Sequence, residues 1–330
     1  MKLLPVDEAL LRRAPHRIPF PSVALLCLAL GAAGPLACNP IEPGGDPSLD
    51  LSERQELESD NGLMANGLSA NGLSANGLSA NGLSANGLSA NGLSAASFST
   101  WFNQNPTLND MVMRYIVRCA VPANQVRTYQ NPTTQISYSW EGELGLAPGW
   151  ASGQPADLTE QQLVSACLAA HVNKFGVSVT ISVLGKDAAG QFIPFTWDEL
   201  DTYSYKEGCF FGNLFNGEGV FYGAEGPPLP PDKSSSRACV LSSGAPLATG
   251  QCPPLSYAGP CSQLCQPIVP GGFYVACSWH GVTYKPLTTR VRPSEIYTCG
   301  DHVCQVSETC SSGPGTGCEK DCGRCANYRK

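Results

Sequence analysis

The sequence predicts a disulfide-rich, loop-rich α+β domain, preceded by a disordered N-terminal region with pentapeptide repeats. Sixteen cysteines occur in 330 residues, together with 35 glycines and 27 prolines, and only 14% of the residues are charged. Helical and strand patterns alternate after residue 98, whereas residues 61–95 repeat with a period of five. This combination is typical of an exported protein whose fold is held by cross-links.

The N-terminus has the composition of an export signal. Four basic residues precede the apolar run 23–30, which is too short for a membrane-spanning helix, so residues 1–37 are predicted to be a signal peptide. Leu36-Ala37-Cys38 resembles a bacterial lipoprotein signal, in which the cysteine is acylated. Pro35 and the long basic region depart from that pattern, so a simple secretory cleavage or no cleavage stays open. The resemblance implies lipidation at Cys38 and attachment to the cell envelope, at the outer membrane, with secretion as the alternative.

Residues 39–60 are predicted to be an acidic linker, and seven pentapeptides follow over residues 61–95. The first reads Asn-Gly-Leu-Met-Ala and the other six read Asn-Gly-Leu-Ser-Ala. Leucines five residues apart are offset by about 140° on a helix and alternate faces on a strand, so the period fits neither element. We therefore predict a flexible tether, in which about 60 residues at roughly 5–6 Å × √n span about 40–45 Å. The β-helix of pentapeptide-repeat proteins is the ordered alternative, but 35 residues make fewer than two coils.

Residues 98–296 are predicted to form one disulfide-bridged α+β domain. Leu108–Ala120 is predicted to be an amphipathic helix with Thr107 as its N-cap. A second helix is predicted over 159–173, with a capping box formed by Thr159 and Gln162 and a stop at Gly176. Alternating or β-branched patterns predict strands at 135–146, at 177–184 with Val177, Val179, Ile181 and Val183 inward, at 272–278 and at 281–287.

The fourteen cysteines that follow Cys38 are interpreted as structural disulfides, because an exported chain keeps its thiols oxidised. Three of them precede the proline-rich loop 226–237 and five lie between that loop and residue 277. If these eight pair among themselves, at least one bridge must cross the loop, which favours one unit over two. The fourteen are Cys119, Cys167, Cys209, Cys239, Cys252, Cys261, Cys265, Cys277, Cys299, Cys304, Cys310, Cys318, Cys322 and Cys325.

A C-terminal module, residues 299–325, holds six cysteines in 27 residues. A segment of this length is too short to form a hydrophobic core, so cross-links must stabilise it. Its Cys-Gly-Asp-x-x-Cys and Asp-Cys-Gly-x-Cys motifs resemble those of uncharacterised secreted lipoproteins of the myxobacterial type, in which Gly stands at the position of His302. The resemblance implies location rather than an activity. No cofactor is predicted, although two metal alternatives stay open: Ca²⁺ on carboxylates or Zn²⁺ on thiolates. The carboxylates are Asp301, Glu308, Glu319 and Asp321, and the thiolates are Cys318, Cys322 and Cys325.

The net charge and the motifs that the sequence lacks limit the functions that we expect. Removal of residues 1–37 leaves 16 basic against 25 acidic residues, a net charge of −9, so nucleic-acid binding is not expected. The sequence contains no His-Glu-x-x-His, Gly-x-Ser-x-Gly or P-loop motif, and no catalytic residue is predicted. Cys167 and His171 share a helix face, and we interpret them as a disulfide cysteine beside a buried histidine rather than as a nucleophile and its base.

The predicted role is that of a surface-anchored, non-catalytic protein with a structural, adhesive or binding function. Its predicted partners are the membrane, through the lipid anchor, and a carbohydrate or protein surface. The predicted binding platform consists of five aromatic residues: Trp197, Tyr203, Tyr205, Phe210 and Phe211. The alternative is an extracytoplasmic hydrolase of a carbohydrate polymer, in which Glu199 and Glu207 form a carboxylate pair near Asp198 and Asp201.

Overall fold

The computed structural model describes residues 59–60, 63–64, 87–173, 175, 177–241, 254–268, 272–310 and 317–324. These residues form a mixed helix and strand structure cross-linked by disulfides, which confirms the predicted fold class. None of the helices in this part of the chain is long and apolar enough to cross a membrane. The predicted signal peptide, Cys38, most of the acidic linker, Cys252 and Cys325 lie outside the described residues.

The elements are numbered in chain order. The helices are α1 (Ala90–Leu93), α2 (Ala96–Phe102), α3 (Pro106–Ala120), α4 (Pro148–Ala151), α5 (Leu158–Ala170), α6 (Trp197–Thr202), α7 (Ala238–Leu241), α8 (Cys261–Leu264) and α9 (Glu319–Cys322). The strands are β1 (Ser59–Asp60), β2 (Leu63–Met64), β3 (Val126–Gln130), β4 (Ser137–Glu141), β5 (Val172–Asn173), β6 (Thr180–Leu184), β7 (Tyr205–Asn213), β8 (Gly219–Ala224), β9 (Lys233–Ser234), β10 (Leu255–Pro260), β11 (Cys265–Ile268), β12 (Phe273–Trp279), β13 (Val282–Tyr284), β14 (Leu287–Val291) and β15 (Tyr297–Thr298).

A six-stranded sheet in the order β1-β6-β14-β7-β8-β10 forms the centre of the domain. Its pairs are antiparallel except for β8 with β10. Helix α5 packs on this sheet across β7, and α3 packs against α5. Ten of the thirteen α5 residues are buried, so the helix is enclosed on all sides rather than on the single face expected from its sequence. A second, three-stranded sheet of β11, β12 and β13 packs near β7 through β12.

Both predicted helices exist, but their N-caps differ from the predictions. Helix α3 begins at Pro106 and is capped by Asn105, whose side chain accepts a hydrogen bond from the Leu108 N–H at 3.2 Å. The predicted cap, Thr107, lies in the first turn, because proline with its fixed φ occupies the first helical position. Helix α5 is capped by a box of Asp157 and Glu160, two residues before the predicted box.

The boundary of α5 follows from a tertiary contact. The Glu160 carboxylate accepts the N–H groups of Gly149 at 2.7 Å and Trp150 at 3.1 Å, as well as that of Asp157. These bonds join the start of α5 to α4, so they favour the earlier capping box. The helix ends at Ala170 with His171 as the C-cap, before the predicted stop at Gly176, which lies outside the described residues.

The predicted strands are present with shifted bounds. The strand predicted at 135–146 is shorter and pairs as β4 with β3, and the one predicted at 177–184 begins at Thr180 as β6. Ser182 and Leu184 are buried beside Ile181 and Val183, because both faces of β6 are covered. The prediction at 281–287 is wrong as a single strand, since residues 285–286 separate β13 from β14.

Disulfides join distant parts of the described chain. The bridges are Cys119–Cys167, Cys209–Cys261, Cys265–Cys277, Cys299–Cys318 and Cys304–Cys322. Cys239 and Cys310 are also disulfide-bonded. Cys209–Cys261 spans the proline-rich segment and is the crossing bridge that the odd cysteine numbers on its two sides require. Since such bridges persist in oxidising compartments, the protein is extracytoplasmic.

The domain begins earlier than the predicted residue 98. Leu88 and Leu93, from the last two repeats, belong to the main hydrophobic core. At the other end of the array, β1 pairs with the edge strand β6 and β2 pairs with β5. The tether predicted over residues 61–95 is therefore wrong for residues 87–95 and for the backbone of residues 63–64. The intervening residues lie outside the described part of the chain.

Candidate functional site

An exposed group of aromatic side chains is the strongest candidate for a binding surface in the described residues. Phe192 is 54% exposed and Trp197 is 65% exposed, while Phe195, which lies between them in sequence, is half-buried. The Phe195 ring lies edge-on to Trp197, with centroids 6.2 Å apart, and edge-on to the buried Phe273 at 6.3 Å. Phe192 also contacts Phe273, at 5.9 Å. We call Phe192, Phe195 and Trp197 the aromatic patch.

A tight turn positions the first ring of the patch. Lys186 and Phe192 form an isolated antiparallel bridge, and Ile193 donates its N–H to the Gly185 carbonyl at 3.1 Å. Within the turn, the Asp187 carboxylate accepts the Gln191 N–H at 2.8 Å. The Lys186 ammonium lies 4.6 Å from the centroid of the Phe192 ring, where the negative face of the ring attracts a cation.

Helix α6 positions the indole. Trp197 is its first residue, directly after the N-cap Thr196, whose side chain accepts the Glu199 N–H at 3.0 Å. Glu199 returns the contact to the Thr196 N–H, which completes a capping box. The exposed Asp198 stands beside the indole in sequence. The arrangement presents apolar ring faces with the Lys186 cation beside one of them, which suits a ligand that combines apolar faces with polar groups.

Only two of the five aromatic residues predicted to form the binding platform are accessible to a ligand. Tyr203, Phe210 and Phe211 are buried, so their ring faces are not available to a ligand. Trp197 is exposed, and Tyr205 is half-buried at a cavity of about 250 Å³ beside Lys206 and Pro227.

Phe192 and Phe195 were missed by the sequence prediction. The available signal was the spacing of three aromatic residues within Phe192–Trp197, around a proline and next to a predicted turn.

The carboxylates of the predicted hydrolase alternative are used within the fold. Glu207 is 1% exposed and accepts two hydrogen bonds from Arg237, from Nε at 2.7 Å and from Nη2 at 3.0 Å. The Thr289 hydroxyl donates to the same carboxylate at 2.7 Å. The guanidinium also donates to the carbonyls of Ala170 and Val172, so this buried pair joins the end of α5 to β7 and β14.

Of the other acidic residues in the hydrolase alternative, one is buried and two are exposed. Glu199 is buried in the capping box of α6, whereas Asp198 and Asp201 are exposed on the same helix. Neither Glu199 nor Glu207 offers an accessible carboxylate, so the structure does not assemble the predicted pair.

Cys167 and His171 are adjacent, as the helical spacing predicted. The Cys167 sulfur is bonded to Cys119, so it is not a nucleophile, and the His171 Nδ1 donates to the Cys167 carbonyl at 2.8 Å. Burial lowers the pKa of the His171 imidazole to about 3; the hydrogen bond to the Cys167 carbonyl opposes this shift, while the Arg118 and Arg237 cations add to it. His171 is therefore a neutral core histidine.

Carboxylates of the C-terminal module hold backbone amides. Asp321 accepts the N–H groups of Gly300 and His302, and these hydrogen bonds, that of Gly300 first, lower the pKa of Asp321. Asp301 accepts the Val303 N–H at 2.9 Å. Buried Glu308 accepts the Ser234 hydroxyl and so fastens the module to the domain.

Two further features of the module bear on the sequence predictions. His302 has φ +72°, a left-handed conformation in which glycine carries no steric penalty but other residues are strained. Cys318 and Cys322 are both committed to disulfides, and Cys325 lies outside the described residues, so no free thiolate pair is present for the predicted zinc alternative. The exposed Glu319 forms a 3.6 Å ion pair with Arg324.

Comparison with known proteins identifies the repeats alone. A repeat family described as GLTT repeat (6 copies) matches residues 60–84. No curated protein matches the chain. No solved structure matches it either. The chain is therefore similar to the GLTT repeat family over residues 60–84.

Proposed function

We propose that this chain is a lipid-anchored extracytoplasmic protein whose domain binds a carbohydrate surface through the aromatic patch. The role is non-catalytic and adhesive. The observation that carries the proposal is the exposure of Trp197 and Phe192 on a rigid base of Phe195 and Phe273. Planar aromatic rings at a surface stack on the apolar faces of sugar rings while the hydroxyl groups of the sugar remain solvated.

Rigidity supports binding at this patch. The Asp187 carboxylate holds the turn that carries Phe192, and a capping box holds the start of the helix that carries Trp197, so little backbone conformational entropy is lost when a ligand stacks on the rings. Lys186 lies beside the Phe192 ring and offers a donor to sugar hydroxyl groups, and the exposed Asp198 follows Trp197 in sequence.

The anchor belongs to the same proposal. Lipidation at Cys38 is supported by the Leu36-Ala37-Cys38 motif. Because β1 already belongs to the central sheet, only residues 39–58 separate the anchor from the domain.

A polysaccharide-binding assay tests the binding role. The chain is incubated with insoluble cell-wall and plant polysaccharides and with a glycan array, in parallel with the variants Trp197→Ala and Tyr257→Ala. We expect Trp197→Ala to weaken binding by about tenfold, equivalent to roughly 1.4 kcal/mol of lost stacking. Tyr257 is 41% exposed, packs on Tyr222 and is not part of the aromatic patch. Tyr257→Ala is therefore the matched control, and this variant should bind as the parent chain does.

Three outcomes of the binding assay would contradict the proposed binding role. Equal binding by the parent chain and Trp197→Ala would show that the aromatic patch does not contact the ligand. No binding to any glycan would show that the ligand is not a carbohydrate. Release of new reducing ends would favour the hydrolase. For the anchor, the intact mass of the chain extracted from envelopes should show cleavage before Cys38 and acylation, and an unmodified Cys38 would reject lipidation.

A further inference from the structure

The last two repeats occupy a specific site on the domain. Leu88 is fully buried and Leu93 is 1% exposed, and both lie in the main hydrophobic core. Leu88 donates its backbone N–H to the Trp150 carbonyl at 2.9 Å, which ties the sixth repeat to the end of α4. Two leucines from a repeat of low hydrophobicity thus act as core residues.

Glycine of the motif is required where the sixth repeat approaches the domain. Gly87 has φ +66°, and a Cβ at this position would overlap the Cα of Gly153. Gly153 in turn has φ +98°, and a Cβ there would lie 2.9 Å from the Ser89 side chain. The two backbones therefore meet at a contact that only glycine permits on either side.

Serine of the motif joins one repeat to the next. The Ser89 carbonyl accepts the Leu93 N–H at 3.0 Å, and the Ser89 hydroxyl accepts the Gly92 N–H at 3.3 Å. These bonds close the short helix α1, which carries Leu93 into the core. The glycine, leucine and serine positions of the pentapeptide thus each make a defined contact, so the site recognises the motif rather than general hydrophobicity.

Six repeats, residues 66–95, have the same sequence, and within the part of the array that the structure describes the last two occupy this site. The first copy differs by Met64 in place of serine, and its Leu63 and Met64 pair instead with β5. Every consecutive pair among copies two to seven therefore contains the same nine-residue sequence as residues 87–95, which the site holds.

We propose that the domain carries a binding site for the peptide Asn-Gly-Leu-Ser-Ala-Asn-Gly-Leu-Ser-Ala, and that any two consecutive copies within residues 66–95 can occupy it. The sixth and seventh copies are favoured because they connect to α2 without intervening residues. A shift by one copy inserts five residues before Ala96, and the entropy of closing such a loop grows only slowly with its length. The number of copies can then change without loss of a ligand for the site.

Three variants of the full chain test this proposal. Leu88→Ala with Leu93→Ala removes both leucines that occupy the site. The array variant replaces all six leucines of the identical copies: Leu68, Leu73, Leu78, Leu83, Leu88 and Leu93. The control replaces only Leu68 and Leu73. Unfolding by guanidinium with the disulfides intact gives the stability of each variant, and hydrogen exchange measured by mass spectrometry shows which copy is protected.

The proposal predicts an order of stabilities. The control should equal the parent, the site variant should be moderately weakened, and the array variant should lose at least about a further hundredfold in folding equilibrium constant, because no leucine remains for the site. In the site variant, exchange protection should move from residues 87–94 to residues 77–84.

Equal losses in the site and array variants, including failure of both to fold, would show that upstream copies cannot replace Leu88 and Leu93 and would overturn the proposal. Parent-like stability of the array variant would also overturn it, because the leucine site would then contribute nothing. Stability of the site variant that rises with protein concentration would mean that a second chain supplies the repeat, and would reject a shift within one chain.

Discussion

Replacement of Arg237 with methionine should destabilise the domain by about 3–5 kcal/mol, because it leaves the buried Glu207 carboxylate without its cation. The guanidinium makes two hydrogen bonds to Glu207, of 2.7 and 3.0 Å, and both partners are almost wholly removed from solvent. Methionine fills much of the volume but supplies no donor, so charge rather than packing is the main loss.

The structure indicates how this magnitude arises. The same guanidinium donates to the Ala170 carbonyl at 2.7 Å and to the Val172 carbonyl at 2.8 Å. A buried acceptor that loses its donor costs about 1–3 kcal/mol, and more when the acceptor is charged. Thr289 continues to donate to Glu207, which keeps the expected total near 3–5 kcal/mol rather than higher.

Guanidinium denaturation followed by circular dichroism, with the disulfides intact, measures the change. Arg114→Met is the matched control, because Arg114 is exposed and its 3.7 Å contact with Asp110 should contribute less than about 0.5 kcal/mol. The double variant Arg237→Met with Glu207→Leu should recover much of the loss, since no buried charge remains. A loss below about 1 kcal/mol for Arg237→Met, or a double variant no more stable than the single one, would refute the reasoning.

Two further predictions concern the core. His171→Gln should flatten the acid side of the stability profile: the imidazole has a pKa of about 3 when folded and about 6.5 when unfolded, so the unfolded chain binds more protons between these values. Stability is therefore present above pH 6.5 and falls with pH towards 3, by up to about 1.4 kcal/mol per pH unit from this group. Unfolding midpoints measured from pH 4 to 7 check this, and identical slopes in parent and variant would contradict it. Gly223→Ala should cost about 1–3 kcal/mol, because its Cβ would lie 2.8 Å from the Cys209 sulfur and 2.9 Å from that of Cys261. Gly226→Ala, with no atom within 4 Å of the added Cβ, is the control, and equal thermal midpoints for the two variants would count against the contact.

The start of α5 shows that a local sequence pattern can predict a helix without predicting its first residue. Asp157 with Glu160 and Thr159 with Gln162 both satisfy the spacing of a capping box, so the sequence predicts the helix but not its first residue. The choice depends on Glu160, whose carboxylate also accepts amides from α4. That contact exists only after the two helices have packed together.

The aromatic residues predicted to form the binding platform show the same limit of local sequence patterns. Phe210 and Phe211 are successive residues of β7, so their side chains point to opposite faces of the sheet. Phe210 enters the main core with α5, and Phe211 enters a second cluster with Tyr274 and Tyr284. Phe210 and Phe211 are both buried because both faces of β7 are covered at this point, and the sequence of one strand does not show what covers it.

The sequence by itself determined the α+β class, the disulfide chemistry that indicates an extracytoplasmic location, and the period of the repeats. These properties follow from composition and from residues a few positions apart. Only the tertiary structure decided that Leu88 and Leu93 are core residues and that Phe192 and Trp197 are exposed. Burial depends on partners far away in the chain, such as Trp150 for Leu88, and a repeated sequence cannot show which of its copies meets them.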